Sequence, residues 1–372
     1  VTGVQTCALP ISRILNNFAV IMKRIILAID SFKGCLSSVE AEDAAEQGLR
    51  ERWQEVNVVK VPVTDGGDGM LEVFLQLFDC KEITVNCHDA LMRPIQASYA
   101  VCADNTVVIE TALSCGINLL KQQELNPLRA TTYGLGELLA DALQRGFRKF
   151  IIGLGGSATS DCGLGMLAAL KDILGKNWRD KFLRDLDITL ASDVNNPLFG
   201  ERGAAVVFGP QKGATPEMIV CLDRRARTFA RMAAAQLGFD CSLNNGAGAA
   251  GGLGYAFMQF MNAKMRSGAD VLLETVNFIS LIEDADLIIT GEGSADSQTL
   301  MGKIPIRVLE YGLRKNVPVM LIAGKVKDAA ALLKAGFSQV QCITPTDMML
   351  TEAMKPTVAK ENIRKTIMQL LN

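Results

Sequence analysis

Short apolar, β-branched runs, each ending at a loop of glycine with Asp, Glu or Ser, constrain this chain more than any other feature. Residues 25–29 run into Asp30, and residues 56–63 into TDGGDG, which starts at Thr64. Residues 150–152 run into GLGGSATSD at Gly153, 187–191 into SDVNNP at Ser192, and 285–290 into GEGSADSQ at Gly291. Runs of that length between polar loops predict buried parallel strands. Helical spacing follows several of them: over 39–52, with Ser38 as the expected N-cap and Glu40 and Glu42 in the first turn, and over 71–78. Residues 83–112 change to short alternating runs that predict antiparallel strands. Further strands are expected over 204–208, 317–323 and 340–343, and a helix over 223–237. The alternation predicts an α/β chain with one doubly wound parallel sheet and a second domain with a mixed sheet.

Composition narrows the chemistry. The net charge is −2 and aromatics are 6%, which argues against a nucleic-acid surface and against a base-stacking platform. The single histidine, His88, excludes multi-His metal sites, and it reads as a surface turn residue. Catalysis is left to carboxylates, Lys, Ser and backbone amides. The ten cysteines form no CxxC pair, which predicts free thiols in a cytoplasmic protein. No apolar run reaches the ~18 residues of a spanning helix, so no membrane partner is expected. Residues 1–21 make a poor signal peptide, with Pro10 and Arg13 inside the apolar stretch. Their VTGVQTCALPIS stretch resembles translated sequencing-adapter read-through, and Met22 is the expected start.

In open α/β sheets ligands bind beyond the carboxyl ends of strands. Glycines there let backbone N–H groups approach a phosphate, and a helix N-terminus favours the anion. Acids beside them bind Mg²⁺ or accept a proton from an attacking hydroxyl. Glycine turns with acids therefore point to Mg²⁺-dependent phosphoryl transfer to an alcohol. Two other motifs fail on context. Gly246, Gly248 and Gly251 satisfy GxGxxG with Asp270 beyond, but no strand precedes them. Gly302-Lys303 resembles a Walker loop in part, but Ile304 stands where Ser or Thr is needed.

From Met22 onward the chain resembles the bacterial class I glycerate kinases. The resemblance rests on DSFKGCLSS (from Asp30), PVTDGGDG (Pro62), NPLRATTYGLGELL (Asn126), IIGLGGSATSD (Ile151), SDVNNPLFG (Ser192), VFGPQKGA (Val207), GAGAAGGLG (Gly246) and ITGEGSADSQTLMGKIP (Ile289). It implies two α/β domains, one flavodoxin- or Rossmann-like, with the active site in the cleft between them. The expected boundaries are 22–75 with 285–372 for the first domain and 76–284 for the inserted one. The implied reaction is ATP-dependent phosphorylation of D-glycerate, at the 2-hydroxyl or alternatively the 3-hydroxyl, by a monomer or homodimer.

The implied roles are these. Lys33 fixes the substrate carboxylate, with Ser31 or backbone N–H groups assisting, and Asp30 is a further substrate- or phosphate-binding candidate. Asp193, or alternatively Asp65, accepts the hydroxyl proton. Gly66, Gly67, Gly155, Gly156, Ser157 and Asn195 hold substrate or phosphoryl oxygens. Lys212 and Lys303 neutralise developing charge, and Glu292 and Asp296 serve Mg²⁺. Gly246–Gly254 has a purely packing alternative.

Four departures from the family pattern stand out. Between Leu170 and Asp187 the chain is shorter by roughly 20 residues, a loss that is thermodynamically tolerable for a surface hairpin. Asp68 replaces a usual Glu, Ser294 a usual Arg, and Arg307 a usual Gly. They leave a catalytically impaired homologue that binds a small hydroxy acid or nucleotide as the second reading, with a nicotinamide-linked dehydrogenase well behind.

Overall fold

The computed structural model describes residues 24–370. The expected leader over residues 1–21 and the start at Met22 lie outside the described residues. Eleven strands occur among the described residues. They are β1 (Arg24–Ile29), β2 (Asn57–Lys60), β3 (Cys80–His88), β4 (Pro94–Cys102), β5 (Thr106–Glu110), β6 (Lys149–Gly153), β7 (Asp187–Ala191), β8 (Lys264–Arg266), β9 (Leu287–Ala295), β10 (Val319–Val326) and β11 (Gln339–Cys342). They form two sheets, ordered β11-β10-β9-β1-β2 and β3-β4-β5-β6-β7-β8. The chain divides into two units, one of residues up to 63 and from 276 onward, the other Thr64–Thr275. The divisions expected from the sequence are 75/76 and 284/285.

In the first unit all strand pairs are parallel. Ile25, Leu27 and Ile29 pack against Ala41, Ala45 and Leu49 of helix Ser38–Arg52 and against Ile363 and Ile367 of helix Pro356–Leu370. Those two helices meet so closely that a Cβ at Gly48 would lie 2.6 Å from the Arg364 carbonyl oxygen. Helix Ile304–Lys315 buries Val308 and Leu309, and its Gly312 approaches Val319 and Ile288. From β1 the chain winds one way to β2, and from β9 the other way to β10 and β11. The reversal falls between β1 and β9, the point in such a sheet where the carboxyl ends open toward a ligand.

The helix after β1 is capped by Ser37 and not by Ser38. The Ser37 hydroxyl accepts the Glu40 amide (3.3 Å) while Glu40 accepts the Ser37 amide (3.0 Å), a reciprocal capping box. Ser38 is buried instead. Its hydroxyl donates to the Ile29 carbonyl (2.5 Å) and accepts the Val63 amide (2.9 Å), tying the exit of β1 to the chain beyond β2. Glu42 is buried beside it and accepts the Ile29 amide (3.1 Å); burial pushes its carboxyl well above the usual range.

In the second unit β3, β4 and β5 pair antiparallel, and β5 through β8 pair parallel. Tyr99, Val107, Ile109, Phe150, Ile152 and Leu190 enter one core with Leu135, Leu138, Leu139, Met166 and Leu170. Three expectations are corrected in this unit and its loops. Residues 204–208 form a short helix, Ala204–Phe208, where a strand was expected, because a five-residue apolar run carries no period to tell the two apart. His88 ends β3 and is not a turn residue: its amide and Nδ1 both meet Glu137 (2.8 and 2.9 Å). Cys80 and Cys102 are joined by a disulfide, because the β3–β4 register sets them directly opposite although they lie 22 residues apart. The other described cysteines are free. Where a shortened segment was expected, residues 178–185 form two short helices, Trp178–Phe182 and Leu183–Asp185, anchored by Trp178, which is buried in the core.

Candidate active site

The candidate residues gather at strand carboxyl ends, in one cluster per unit. The second unit holds the denser one. TDGGDG, after Val63, lies against GLGGS, after β6. The Gly155 amide donates to the Gly66 carbonyl (3.1 Å). A Cβ at Gly155 would lie 2.2 Å from the Gly67 Cα, and one at Gly66 would lie 2.4 Å from the Ala191 carbonyl oxygen. Gly66 and Gly156 also have positive φ, 82° and 71°. These glycines are required because two backbones run at a spacing that excludes side chains. Asp65 accepts the Gly67 amide (3.0 Å) and Asp68 reaches over Gly156 to Asn118 (3.0 Å).

Glu110, which the sequence reading missed, supports this loop from the end of β5. Its two oxygens accept the Gly69 and Leu71 amides at 3.0 Å each, capping helix Met70–Leu77 from another strand. Burial pushes its carboxyl up to about 7 against the pull of those two amides.

Asp193 follows β7. The Ser267 side chain and the Gly268 amide favour its ionised form, while its Oδ2 is buried without a hydrogen-bond partner. Burial, and then the charges of Asp65 and Asp270, push it up to about 6. A carboxylate that is desolvated, half-satisfied and ionised at neutral pH has the properties of a proton acceptor. Asn195 is exposed on the same loop.

Lys212 is 2% exposed, and its Nζ donates to the Ser157 Oγ (2.9 Å) and the Thr159 carbonyl (2.6 Å). Burial pulls its ammonium down to about 8. Ser157 accepts from Lys212, so its own hydrogen is free to point at an incoming oxygen. Asp161, at the end of the same motif, has a structural task. It accepts the Thr132 (2.9 Å), Gly163 (3.1 Å) and Gly165 (3.0 Å) amides and so pins the starts of two helices. Gly246–Gly254 is a packing element: a Cβ at Gly248 would meet the Pro197 carbonyl at 2.4 Å, and one at Gly251 the Thr159 carbonyl at 2.0 Å.

The first unit brings Asp30, Ser31 and Lys33 beside Glu292, Asp296 and Lys303 at the β1–β9 reversal. The Asp30 amide donates to the Gly291 carbonyl (2.9 Å), and the Ser31 amide to Asp30 Oδ1 (2.7 Å). A Cβ at Gly293 would be 3.7 Å from the Lys33 amide nitrogen. Lys33 is exposed. Glu292, 7% exposed, accepts from Thr299 Oγ1 (2.5 Å) and pairs with Lys303 (3.0 Å), and Asp296 faces Lys327 (3.5 Å). Among the described residues no group of three or more His, Cys, Asp or Glu is placed to hold a metal ion. Glu292 and Asp296 are of the right donor type for Mg²⁺, which takes one or two carboxylates and completes its shell with phosphates and water. Arg307 pairs with Glu310 on its own helix (3.0 Å).

Comparison with known proteins decides the family. A model of the glycerate kinase family matches residues 25–181 and 173–372. The chain belongs to the glycerate kinase family. It is 39% identical over 355 residues to a glycerate kinase of Bacillus subtilis (strain 168), covering 89% of this chain and 93% of that one. It is 36% identical over 358 residues to glycerate 2-kinase of Escherichia coli (strain K12), with 89% and 93% covered. A solved structure assigned as glycerate kinase 2 from Salmonella typhimurium LT2 superposes with a TM-score of 0.78 at 36% identity, covering 94% of this chain and 98% of that one. The expected α/β fold, with one parallel and one mixed sheet, is what the structure has. As a member of a kinase family the chain is an enzyme. Among the described residues no helix is long and apolar enough to cross a membrane.

Proposed function

We propose that this chain transfers the γ-phosphoryl group of ATP to D-glycerate, at the 2-hydroxyl, giving 2-phosphoglycerate. The observation that carries the reading is the interlocked pair of glycine loops with Asp193 at their edge. It sets a tightly packed main chain, into which phosphoryl oxygens can approach without side chains, beside a half-buried base. The glycerate 2-kinase among the relatives supports the choice of hydroxyl.

Asp193, ionised above about pH 6, accepts the proton of the attacking hydroxyl, with Asp65 beside it. The Gly66, Gly67, Gly155 and Gly156 backbone and the Ser157 hydroxyl hold substrate and phosphoryl oxygens, and Asn195 reaches them from the Asp193 loop. Lys212 acts from behind, fixing Ser157 and lending it positive charge. Lys33, with Ser31 or backbone N–H groups, fixes the glycerate carboxylate, and Asp30 binds substrate beside them. Lys303 meets phosphoryl charge, and Glu292 and Asp296 hold Mg²⁺, which when bound neutralises phosphate charge. The enzyme works in the cytoplasm as a monomer or homodimer.

The reading is tested by ADP release with Mg·ATP and D-glycerate, with glycerol as a second acceptor. Release with D-glycerate and none with glycerol is expected, because Lys33 needs a carboxylate to grip. Equal rates with both acceptors would refute that assignment. Tight nucleotide or hydroxy-acid binding without ADP release would establish the impaired-homologue reading, to which Ser294 in β9 points.

A further inference from the structure

β3 is an edge of the second unit's sheet, and it pairs with β4 without a bulge, from Cys80 opposite Cys102 to His88 opposite Pro94. In an antiparallel pair only alternate residues exchange hydrogen bonds, and those between them direct amide and carbonyl outward. The Asp89 amide donates to the Arg93 carbonyl and the Ala103 amide to the Asp79 carbonyl, both at 2.9 Å, so the odd-numbered residues of β3 bond to β4. Cys80, Glu82, Thr84, Asn86 and His88 therefore present their backbone to the open edge. Both ends of that edge are closed. The Cys80 amide donates to the Phe78 carbonyl (2.8 Å), and the His88 amide to Glu137 of helix Tyr133–Gln144 (2.8 Å). Between them, no group among the described residues bonds the outward backbone of Glu82, Thr84 or Asn86, and all three residues are exposed. Edges are commonly blunted by Pro, a bulge or a charge, but this stretch has no Pro or bulge, and Ile83, Thr84 and Val85 at its centre are uncharged.

We infer that this edge pairs with the same edge of a second copy of the chain, antiparallel about a two-fold axis at Thr84, joining two six-stranded sheets into one. A two-fold contact must be self-complementary, and this register is. It sets Thr84 opposite its own copy and Glu82 opposite Asn86 of the second copy, so all three open residues are paired. Sliding by two residues either way faces one of them with the closed Cys80 or His88 end. The side chains agree. Gln96 donates to Asn86 Oδ1 (3.1 Å), which leaves the Asn86 amide nitrogen to donate to the Glu82 carboxylate opposite. The two Glu82 carboxylates stand about 14 Å apart along the strands, and Ile83 meets Val85 on the other face.

The test is sedimentation of the full chain at about 100 μM, a concentration that populates weak pairs. Wild type is expected at twice the 40.1 kDa chain mass. Thr84→Lys sets two ammonium groups against each other at the axis and should sediment at the single-chain mass with Tm kept, since the site is exposed. Thr84→Glu should do the same. An equal mixture of the two variants should regain the double mass, because position 84 meets its own copy only in this register. Wild type at the single-chain mass overturns the proposal, as does a dimer that survives Thr84→Lys, which would use another surface. A mixture that stays at the single-chain mass overturns the register.

Discussion

Gly155→Ala probes the interlocked loops with a single methyl group. The added Cβ would stand 2.2 Å from the Gly67 Cα, 3.1 Å from its nitrogen and 3.3 Å from its carbonyl carbon. Ordinary contact begins at 3.4 Å, so the two backbones must part by about 1.2 Å. Both partners are main chain, and no rotamer change relieves the overlap. Overpacking of this kind costs about 1–3 kcal/mol. A unit of this size loses roughly 2–4 °C in Tm per kcal/mol. The effect on rate is larger. A displacement of ~1 Å in a positioning group costs about 10²-fold, and Gly155, Gly67 and Asp65 move together. Thermal unfolding and steady-state ADP release on the variant should show a modest loss of Tm with kcat/KM down about 10²-fold. Gly175→Ala is the control: its φ is 90° and nothing lies within 4 Å of an added Cβ. With ψ at 165° this backbone is all but restricted to glycine, so the variant bears strain of about 1–3 kcal/mol but touches nothing at the site and should keep full activity. Full activity in Gly155→Ala, or an equal activity loss in Gly175→Ala, would refute the reasoning.

Three further outcomes follow from the same geometry. Asp193→Asn should lower kcat by at least about 10²-fold and remove the acid limb near pH 6, below which wild-type Asp193 is protonated and inactive; a near-normal kcat removes Asp193 from the role of base. Lys212→Met should lower kcat/KM by about 10²–10³-fold with little loss of stability, since an apolar side chain in place of a buried charge is often neutral. The folded protein releases the Lys212 proton at about 8 against 10.5 when unfolded, so denaturant midpoints of wild type should gain on the variant as pH rises from 8 to 10.5; parallel curves would contradict this. Glu110→Gln exchanges an acceptor for a donor facing one of two amides and should cost about 1–3 kcal/mol. The Glu110 proton is held in the fold up to about pH 7 against 4.5 unfolded, so this group's stabilisation is full below pH 4.5 and lost as pH rises through 7. Urea titrations across that range should show the slope in wild type and not in Glu110→Gln.

The parts of this fold that can be read from the sequence are those that depend on local pattern. β1, β6 and β7 are short apolar runs, and each stops where its glycine or acid loop begins. The two-unit α/β organisation follows from their alternation with helices. Single-residue features were less legible. Ser37 and Ser38 are equally good cap residues on paper, and only the reach of Glu40 and the burial of Ser38 against Val63 separate them. Glu110 meets Gly69 across 41 residues, and nothing in the alternating β5 sequence distinguishes a loop-supporting acid from a strand-end one. Asp270 was noticed only as part of a failed dinucleotide pattern, yet it faces Asp193. Lys212 was read as a cation meeting substrate, and its burial sets it one layer further back, on Ser157. The Cys80–Cys102 bond was hidden for the same reason: register, not spacing, makes the two neighbours.

The most direct measurement is phosphorus NMR of the wild-type chain with Mg·ATP and D-glycerate. The expected spectrum loses the γ-phosphate of ATP and gains ADP with an equal amount of a monoester on the secondary carbon of glycerate. ATP left intact over many hours beside D-glycerate, or hydrolysed to inorganic phosphate with no ester formed, would contradict the reading of these loops as a glycerate phosphotransferase.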